Sequence, residues 1–268
     1  GTNLLKLAKQ INQGKRPEYT AVSFDSALEL EPDTWAFVQT ESVKVWKEHL
    51  QLWTQCHYLS PIFGENESFK DLILEAGKMD FDQLVAPDSG QKVLRQIFGG
   101  VERARILSLV RNGIYGCTGI NCQVSEYLRP EFGYGTNNDI FPGAVIMVTR
   151  NDYTKELFNG DVGIVIGDVK GGTCRAFFQR FGSYISFAMD LLPPWEYAFA
   201  MTVHKSQGSE FDDVLLVLPG DENHRLLTRE IVYTGITRAK KRVIVYGAES
   251  AFNKALQRKI ERQSGLMW

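Results

Sequence analysis

Apolar positions along this chain follow two rhythms. In the opening stretch NLLKLAKQINQGKRPE, Leu4, Leu7, Ala8 and Ile11 share one face at helical spacing, and Gly14 and Pro17 end the run. Similar spacing predicts helices over 41–57 and 67–78, with Gly77 and the turn Pro87-Asp88-Ser89-Gly90 as breaks. RARILSLVRNGIYG holds an apolar run from Ile106 to Val110, expected as a strand leading into a glycine-punctuated loop. A helix is expected to follow from Thr118 to Leu128.

From residue 144 the rhythm shortens. AVIMVT, DVGIVIGDV, TCRAFFQRF and YISFAMDLL are β-branched and aromatic, separated by Asn159-Gly160, Gly171-Gly172 and Gly182-Ser183. This is the pattern of consecutive hairpins, so a small antiparallel sheet or barrel is expected, ending at Pro193-Pro194. The helix–strand alternation then returns. DVLLVLP is a continuous apolar strand of the kind buried in a parallel sheet. TREIVYTGITRAKK mixes β-branched residues with a helical period. Read as a helix, it puts Val232, Ile236 and Ala239 on one face, Thr228 at the N-cap and Glu230 in the first turn. RVIVYG is the next strand, and SAFNKALQRKIERQ is an amphipathic helix with Phe252, Ala255, Leu256 and Ile260 inward. The sum is an α/β fold in which 1–143 and 192–268 form one lobe and 144–191 an inserted barrel.

Composition narrows the functional classes. The chain has 268 residues, 44% hydrophobic and 23% charged, with a net charge of −2. That balance excludes a wholesale polyanion binder, so any nucleic-acid contact needs a local patch. Arg225, Arg229, Arg238, Lys240, Lys241, Arg242, Lys254, Arg258, Lys259 and Arg262 are either that patch or a solvated face. Cys117 and Cys122 are the one close cysteine pair, without a further His or Cys at zinc-finger spacing, and no metal is expected. No apolar run approaches the roughly 20 residues of a membrane helix, and no secretory signal is visible, so a cytoplasmic protein is expected. The start at Gly1-Thr2-Asn3, without Met, suggests a processed or excised chain.

Chemistry concentrates in FAMTVHKSQGSEFDDVLLVLP (199–219), where Thr202, His204, Lys205, Ser206, Gln207, Gly208, Ser209 and Glu210 lie between two apolar runs. A phosphate-cradling P-loop is missing: Gly14-Lys15 and Gly77-Lys78 have no upstream glycine at the required spacing and continue into Arg16 and Met79. Asp221-Glu222 follows an apolar strand as a Walker B pair would, but Pro219-Gly220 intervenes, and a solvated turn is expected.

TVHKSQGSEF (202–211) followed by VYTGITRAKK (232–241) resembles motifs V and VI of superfamily 1 helicases. MVTRNDYTKELFNGDVGIVIG (147–167) is similar to the entry of the SH3-like barrel of the RecD group. LKLAKQINQG (5–14), LVRNGIYGCTGIN (109–121) and the final ERQSGL also resemble that group, and the likeness is weakest over 25–100. The family's P-loop, Walker B and motif III are absent. The resemblance therefore implies the second RecA-like, P-loop-NTPase-type motor lobe with its barrel. That is the C-terminal half of an ATP-dependent 5′-to-3′ DNA helicase acting in recombination and repair, with single-stranded DNA and RecB- and RecC-like subunits as partners. ATP and Mg2+ would be held mainly by the missing lobe, so no ATPase activity is expected of this segment alone.

The resemblance also implies roles. Arg238 is the arginine finger, opposite the Val232/Ile236/Ala239 face and one turn beyond Thr234; such a contact is worth roughly 10³–10⁵ in rate. Gln207 is catalytic. Gly208, Glu210 and Arg238 face the nucleotide, with glycine permitting close backbone approach. Thr202, His204 and Lys205 face the DNA backbone. His204 could instead be a buried, satisfied histidine, and Lys205 merely solvated. Arg111 and Asn112 bind a phosphate or simply form a turn. Phe177, Phe178, Phe181, Tyr184 and Phe187 are barrel core or a base-stacking platform. The rival to the motor is a non-enzymatic DNA- or protein-binding adaptor built from a degenerate lobe and barrel.

Overall fold

The computed structural model describes residues 3–61, 66–86, 89–135, 139–168 and 172–259. The first half contains α1 (Asn3–Asn12), α2 (Phe24–Leu28), β1 (Thr34–Gln39), α3 (Val43–Thr54), α4 (Phe69–Ala76), α5 (Phe81–Val85), α6 (Ser89–Arg103), β2 (Ala104–Ser108) and α7 (Cys117–Glu131). The second contains β3 (Val145–Val148), β4 (Val162–Gly167), β5 (Cys174–Arg180), β6 (Ser183–Ala188), β7 (Trp195–Tyr197), β8 (Ala200–Thr202), β9 (Phe211–Val217), α8 (Arg229–Ile236), β10 (Ala239–Gly247) and α9 (Glu249–Gln257). The chain divides into two compact units, residues 1–45, 105–117 and 201–268 in one, 46–104 and 118–200 in the other.

The first unit is built on a five-stranded sheet of order β1-β10-β9-β2-β8. β10 pairs in parallel with β1 on one side and β9 on the other. Leu109 N donates to Val217 O at 3.4 Å, and the Arg105 guanidinium lies 5.2 Å over the Phe211 ring, so β2 runs the same way as β9. The second halves of β9 and β10 are apolar and covered: Val214 to Val217 and Val243 to Tyr246 are all buried. α1 buries the four residues its periodicity selects, Leu4, Leu7, Ala8 and Ile11, and packs against α8. Its first amides, of Asn3 and Leu4, donate to the Asp33 carboxylate at 2.8 and 3.2 Å.

In the second unit, β3 to β7 form an antiparallel sheet of order β6-β5-β4-β3-β7. The hairpin texture from 144 onward is thus realised as strands. Among the described residues no ladder joins β6 to β7, so the pairing defines an open sheet. β7 lies beyond Pro193-Pro194 and pairs with β3, so the sheet outlasts the prolines expected to close it. Helices α4 and α6 pack together, and Phe98 meets Tyr184 at 5.2 Å and Phe81 meets Phe177 at 5.8 Å across the helix–sheet layer. Phe177, Phe178 and Tyr184 are core, but Phe181 is 100% exposed, in the hairpin tip between β5 and β6, with φ +44.

Three sequence readings need correction. Ala239 is not on the α8 face: the helix stops at Ile236, and Ala239 opens β10 in register with Phe211, because the following Val243-Ile244-Val245 run belongs to the sheet core. Ser89 and Gly90 lie in α6 rather than a turn, and residues 87 and 88 lie outside the described residues. α7 runs past Leu128 through Pro130 to Glu131. Gly171, Ile260, Arg262 and the ERQSGL segment also fall outside the described residues. Among the described residues no helix is long and apolar enough to cross a membrane.

Candidate functional site: two loops and Arg238

The loop after β2 is fastened at its root by Ser108, which is fully buried. Its hydroxyl accepts from Val110 N at 3.2 Å and donates to Tyr115 O at 2.7 Å, with Val110 O 3.0 Å away. Cys117 N donates to Val110 O at 3.1 Å and Gly116 N to Gly113 O at 3.0 Å, closing the loop on itself. Gly113 takes φ +92, and a Cβ on Gly116 would meet Asn112 O at 2.3 Å. Arg111, Asn112 and Gly113 are left as an exposed tip on a tied base. Both proposed phosphate contacts are therefore accessible, in a loop whose shape the neighbouring glycines and Ser108 dictate.

The polar loop 203–210 starts beside this one. Val203 N donates to Ser108 O at 3.1 Å, at the end of β2. Further back, the buried Asn121 of α7 holds the incoming strand: its amide donates to Tyr197 O and Ala200 O at 2.6 and 3.0 Å and its carbonyl accepts from Ala200 N at 2.7 Å. The loop then makes one tight turn. Ser206 N donates to Thr202 O, Lys205 N to Thr202 Oγ1 at 3.3 Å, and Ser209 N to Ser206 O. Ser206 is buried, and its hydroxyl donates to Val203 O at 2.8 Å. It braces the turn from within. His204, Lys205, Gln207, Ser209 and Glu210 are exposed, and Thr202 is half-buried. A buried, satisfied histidine is thereby excluded at 204. Gly208 has φ +88, and the direction its Cβ would take is open for 4 Å, so the glycine is required by conformation and its outer side faces free space.

The loop ends at the opposite end of the strands. Phe211 N donates to Arg238 O at 2.8 Å, where β9 and β10 begin. The Arg238 side chain closes over the same segment. Nε donates to Thr234 O at 3.3 Å and Nη1 to Ser209 O at 3.0 Å, with Thr237 Oγ1 at 3.5 Å from Nη2. One loop thus crosses from the end of β2, beside Arg111 and Asn112, to the start of β10, beside Arg238. Thr202, His204 and Lys205 sit at the first end; Ser209 and Glu210 sit at the second.

The surrounding basic run is largely committed to structure. Arg242 makes a two-pronged ion pair with Asp213, both contacts 2.5 Å, across the β9–β10 register. Lys241 pairs with Asp212 at 2.8 Å and Arg229 with Glu230 at 3.5 Å. Arg258 donates to the carbonyls of Asn223 and His224 at 3.2 and 3.0 Å. Asp221 and Glu222 lie in the turn expected of them, with Asp221 Oδ1 accepting from Asn223 N at 2.8 Å. Arg225, Lys240 and Lys259 are exposed. Ser108 and Asn121 are positioning residues that motif reading passed over, each tying a loop or strand to backbone through its side chain, and Gly116 makes room for the Arg111 and Asn112 carbonyls.

A tied loop crossing a parallel sheet, with an arginine at its far end, has relatives. Residues 197–246 match the UvrD-like helicase C-terminal domain. The RecD subunit of the RecBCD enzyme from Mycolicibacterium smegmatis is 40% identical over 172 residues, 64% of this chain and 30% of that one. The RecD subunit from Haemophilus influenzae is 32% identical over 203 residues, 74% of this chain and 30% of that one. The ATP-dependent RecD2 DNA helicase of Deinococcus radiodurans is 31% identical over 187 residues, 67% of this chain and 25% of that one. A crystal structure of the Candida albicans Pif1 helicase aligns over 90% of this chain and 77% of that one, with 13% identity and a TM-score of 0.34, too distant to bear on the site. The class match, to UvrD-like helicase C-terminal domains, is carried by residues 197–246, the stretch from the end of β7 through most of β10. The chain is a homologue of RecD subunits and fits the C-terminal half of RecD. It spans about 30% of the length of the RecD relatives it matches.

Proposed function

We propose that this chain is the C-terminal motor lobe of an ATP-dependent 5′-to-3′ DNA helicase subunit of RecD type, acting on single-stranded DNA in the cytoplasm together with RecB- and RecC-like subunits. Residues 144–191 serve as its SH3-like barrel, between lobe segments 1–143 and 192–268. The observation that carries this reading is the loop from Thr202 to Glu210, tied at one end beside Arg111 and Asn112 and at the other to Arg238. A loop of this kind is suited to couple two ligands, because displacement at one end shifts a segment anchored at the other.

On the nucleotide side the residues fit a triphosphate. Arg238 offers a guanidinium fork, Gly208 an unobstructed backbone, and Gln207 and Glu210 exposed polar ends. ATP bound there would supply the free energy of phosphoryl transfer, while this chain's own part is to present positive charge from Arg238. Mg2+ belongs with the lobe outside this chain; among the described residues no group of three or more His, Cys, Asp or Glu could hold it. On the DNA side, Thr202, His204, Lys205, Arg111 and Asn112 supply donors suited to backbone phosphates. The adaptor reading is disfavoured because a lobe without a motor role has no use for both the arginine and the tied loop.

The test is steady-state hydrolysis in a protein carrying both lobes, with and without single-stranded DNA. Arg238→Ala is expected to lower turnover by roughly 10³-fold or more while nucleotide affinity and the thermal melt change little. His204→Ala is expected to reduce DNA stimulation more than basal turnover. A folded Arg238→Ala protein with near wild-type turnover removes this helix end from the nucleotide cleft.

A further inference from the structure

The Arg238 guanidinium is engaged by this chain's own backbone. Nη1 donates to Ser209 O at 3.0 Å across 29 residues of sequence, and Nε donates to Thr234 O at 3.3 Å on the last turn of α8. The backbone adds a second tie at the same place, Phe211 N to Arg238 O at 2.8 Å. α8 itself is a firm support, because Ile231, Val232, Gly235 and Ile236 are buried and a Cβ at Gly235 would strike the Leu216 side chain at 2.6 Å. The opposing segment is not firm. Gln207, Gly208, Ser209 and Glu210 are exposed, Gly208 has a left-handed φ of +88 with open space where its Cβ would lie, and the segment's backbone ties within the turn are Gln207 N to His204 O at 3.3 Å and Ser209 N to Ser206 O at 3.0 Å. A weakly packed segment is thus held to a well-packed helix by one charged side chain.

We infer that Arg238 is also a positioning residue: it latches the Gln207–Glu210 segment through Ser209 O, fixing where Gln207 and Glu210 stand. A guanidinium carries five N–H donors, so the hydrogen bonds to Ser209 O and Thr234 O leave others for an anion. The same side chain can hold the loop and meet an incoming phosphate, and loop position and charge presentation become one event. The latch stands without the ATP reading, since both of its hydrogen-bond partners, Ser209 O and Thr234 O, belong to this chain. It deepens that reading by assigning the nucleotide-facing residues a common support.

The experiment is amide hydrogen exchange on this 268-residue chain, without nucleotide, for wild type, Arg238→Ala and Arg238→Lys. A hydrogen bond from a charged donor corresponds to an effect of about tenfold or more, so exchange at Ser209 and Glu210 is expected to quicken by about that factor in Arg238→Ala. Amides inside α8, such as Val232 and Ile236, are expected to keep their wild-type rates. Arg238→Lys, with a donor on a similar stem, is expected to recover part of the protection at Ser209 while failing to restore hydrolysis in the two-lobed protein, which a purely structural role for the arginine does not predict. Wild-type exchange at Ser209 and Glu210 in Arg238→Ala overturns the latch. Quickening spread evenly through α8 overturns it too, because the effect is then general loosening. Should Arg238→Ala melt below the working temperature, Arg238→Gln takes its place with the same two criteria. Loss of the latch leaves the hydrolysis prediction standing, and loss of hydrolysis dependence leaves the latch standing.

Discussion

Gly208 and Gly116 both sit in site loops, for opposite reasons. Gly208 has φ +88 and open space around its missing Cβ, so Gly208→Ala meets only the backbone cost of a left-handed residue, about 1–2 kcal/mol. Gly116 lies where a Cβ would come within 2.3 Å of Asn112 O and 2.7 Å of Arg111 O, which are backbone atoms. Gly116→Ala must move the Arg111–Asn112 tip itself, at a cost of about 1–3 kcal/mol for overpacking, and is expected to be the more damaging of the two. Urea melts of both variants check the order; a larger loss for Gly208→Ala contradicts the geometry. Of these residues, Gly208 was legible because its motif quoted it. Gly116 was not: nothing in GIYGC says which glycine turns the chain and which makes room for a carbonyl. Ser206 shows the same limit from the other side. Its neighbours His204, Gln207 and Glu210 are exposed as a polar loop suggests, yet Ser206 is fully buried, and only its bond to Val203 O explains why a hydroxyl belongs there.

Among the elements, helices with one strong apolar stripe could be read directly, and α1 is the clearest, its four buried residues being those its spacing selects. Junctions between elements could not. TREIVYTGITRAKK carries a helix and the start of a strand with no glycine or proline between them, and the change at Thr237 follows from tertiary pairing of Ala239 with Phe211. α4 carries a junction signal of a different kind. Ser68 is its N-cap, its hydroxyl paired with the Asp71 carboxylate at 2.7 Å while Asp71 N donates back to Ser68 Oγ at 3.1 Å. Hydrogen bonds from Ser68, first from its side chain and then from its backbone, hold the Asp71 carboxyl below its usual range. A depressed carboxylate stabilises the fold above its unfolded-state pKa and loses that contribution as pH falls through its folded-state value. Ser68→Ala is therefore expected to cost about 1 kcal/mol near neutrality, with the gap to wild type narrowing below pH 3.8. Denaturant melts at pH 7 and pH 3 make the comparison; a gap that widens in acid contradicts the assignment.

For the whole molecule, the order of α/β, β and α/β texture was legible, because each segment announces its own period. The assembly of those segments was not. β2 and β8 each contribute one strand to the first unit's sheet from stretches bordered by the second unit, and period alone does not say which sheet a strand joins. The run from Arg225 to Lys259 looked freer in the sequence than it is: Lys241, Arg242 and Arg258 are committed to Asp212, Asp213 and two carbonyls, and their partners are distant enough in sequence to escape notice.

The central place of β10 has a consequence in time. On a ribosome β1 is made roughly 200 residues before its partner in the sheet, since Thr34 pairs with Arg242. Contacts that close so long a loop form late and slowly. The second unit waits far less, since the most widely separated pairing in its sheet joins Ile146 to Tyr197. A chain ending at Arg238 should keep 46–104 and 118–200 resistant to limited proteolysis while 201–238 is digested; equal resistance of both stretches would mean that β9 finds a stable partner without β10. During synthesis, then, the arginine and the loop it holds are set only once β10 has been made, after every strand of the second unit's sheet has left the ribosome.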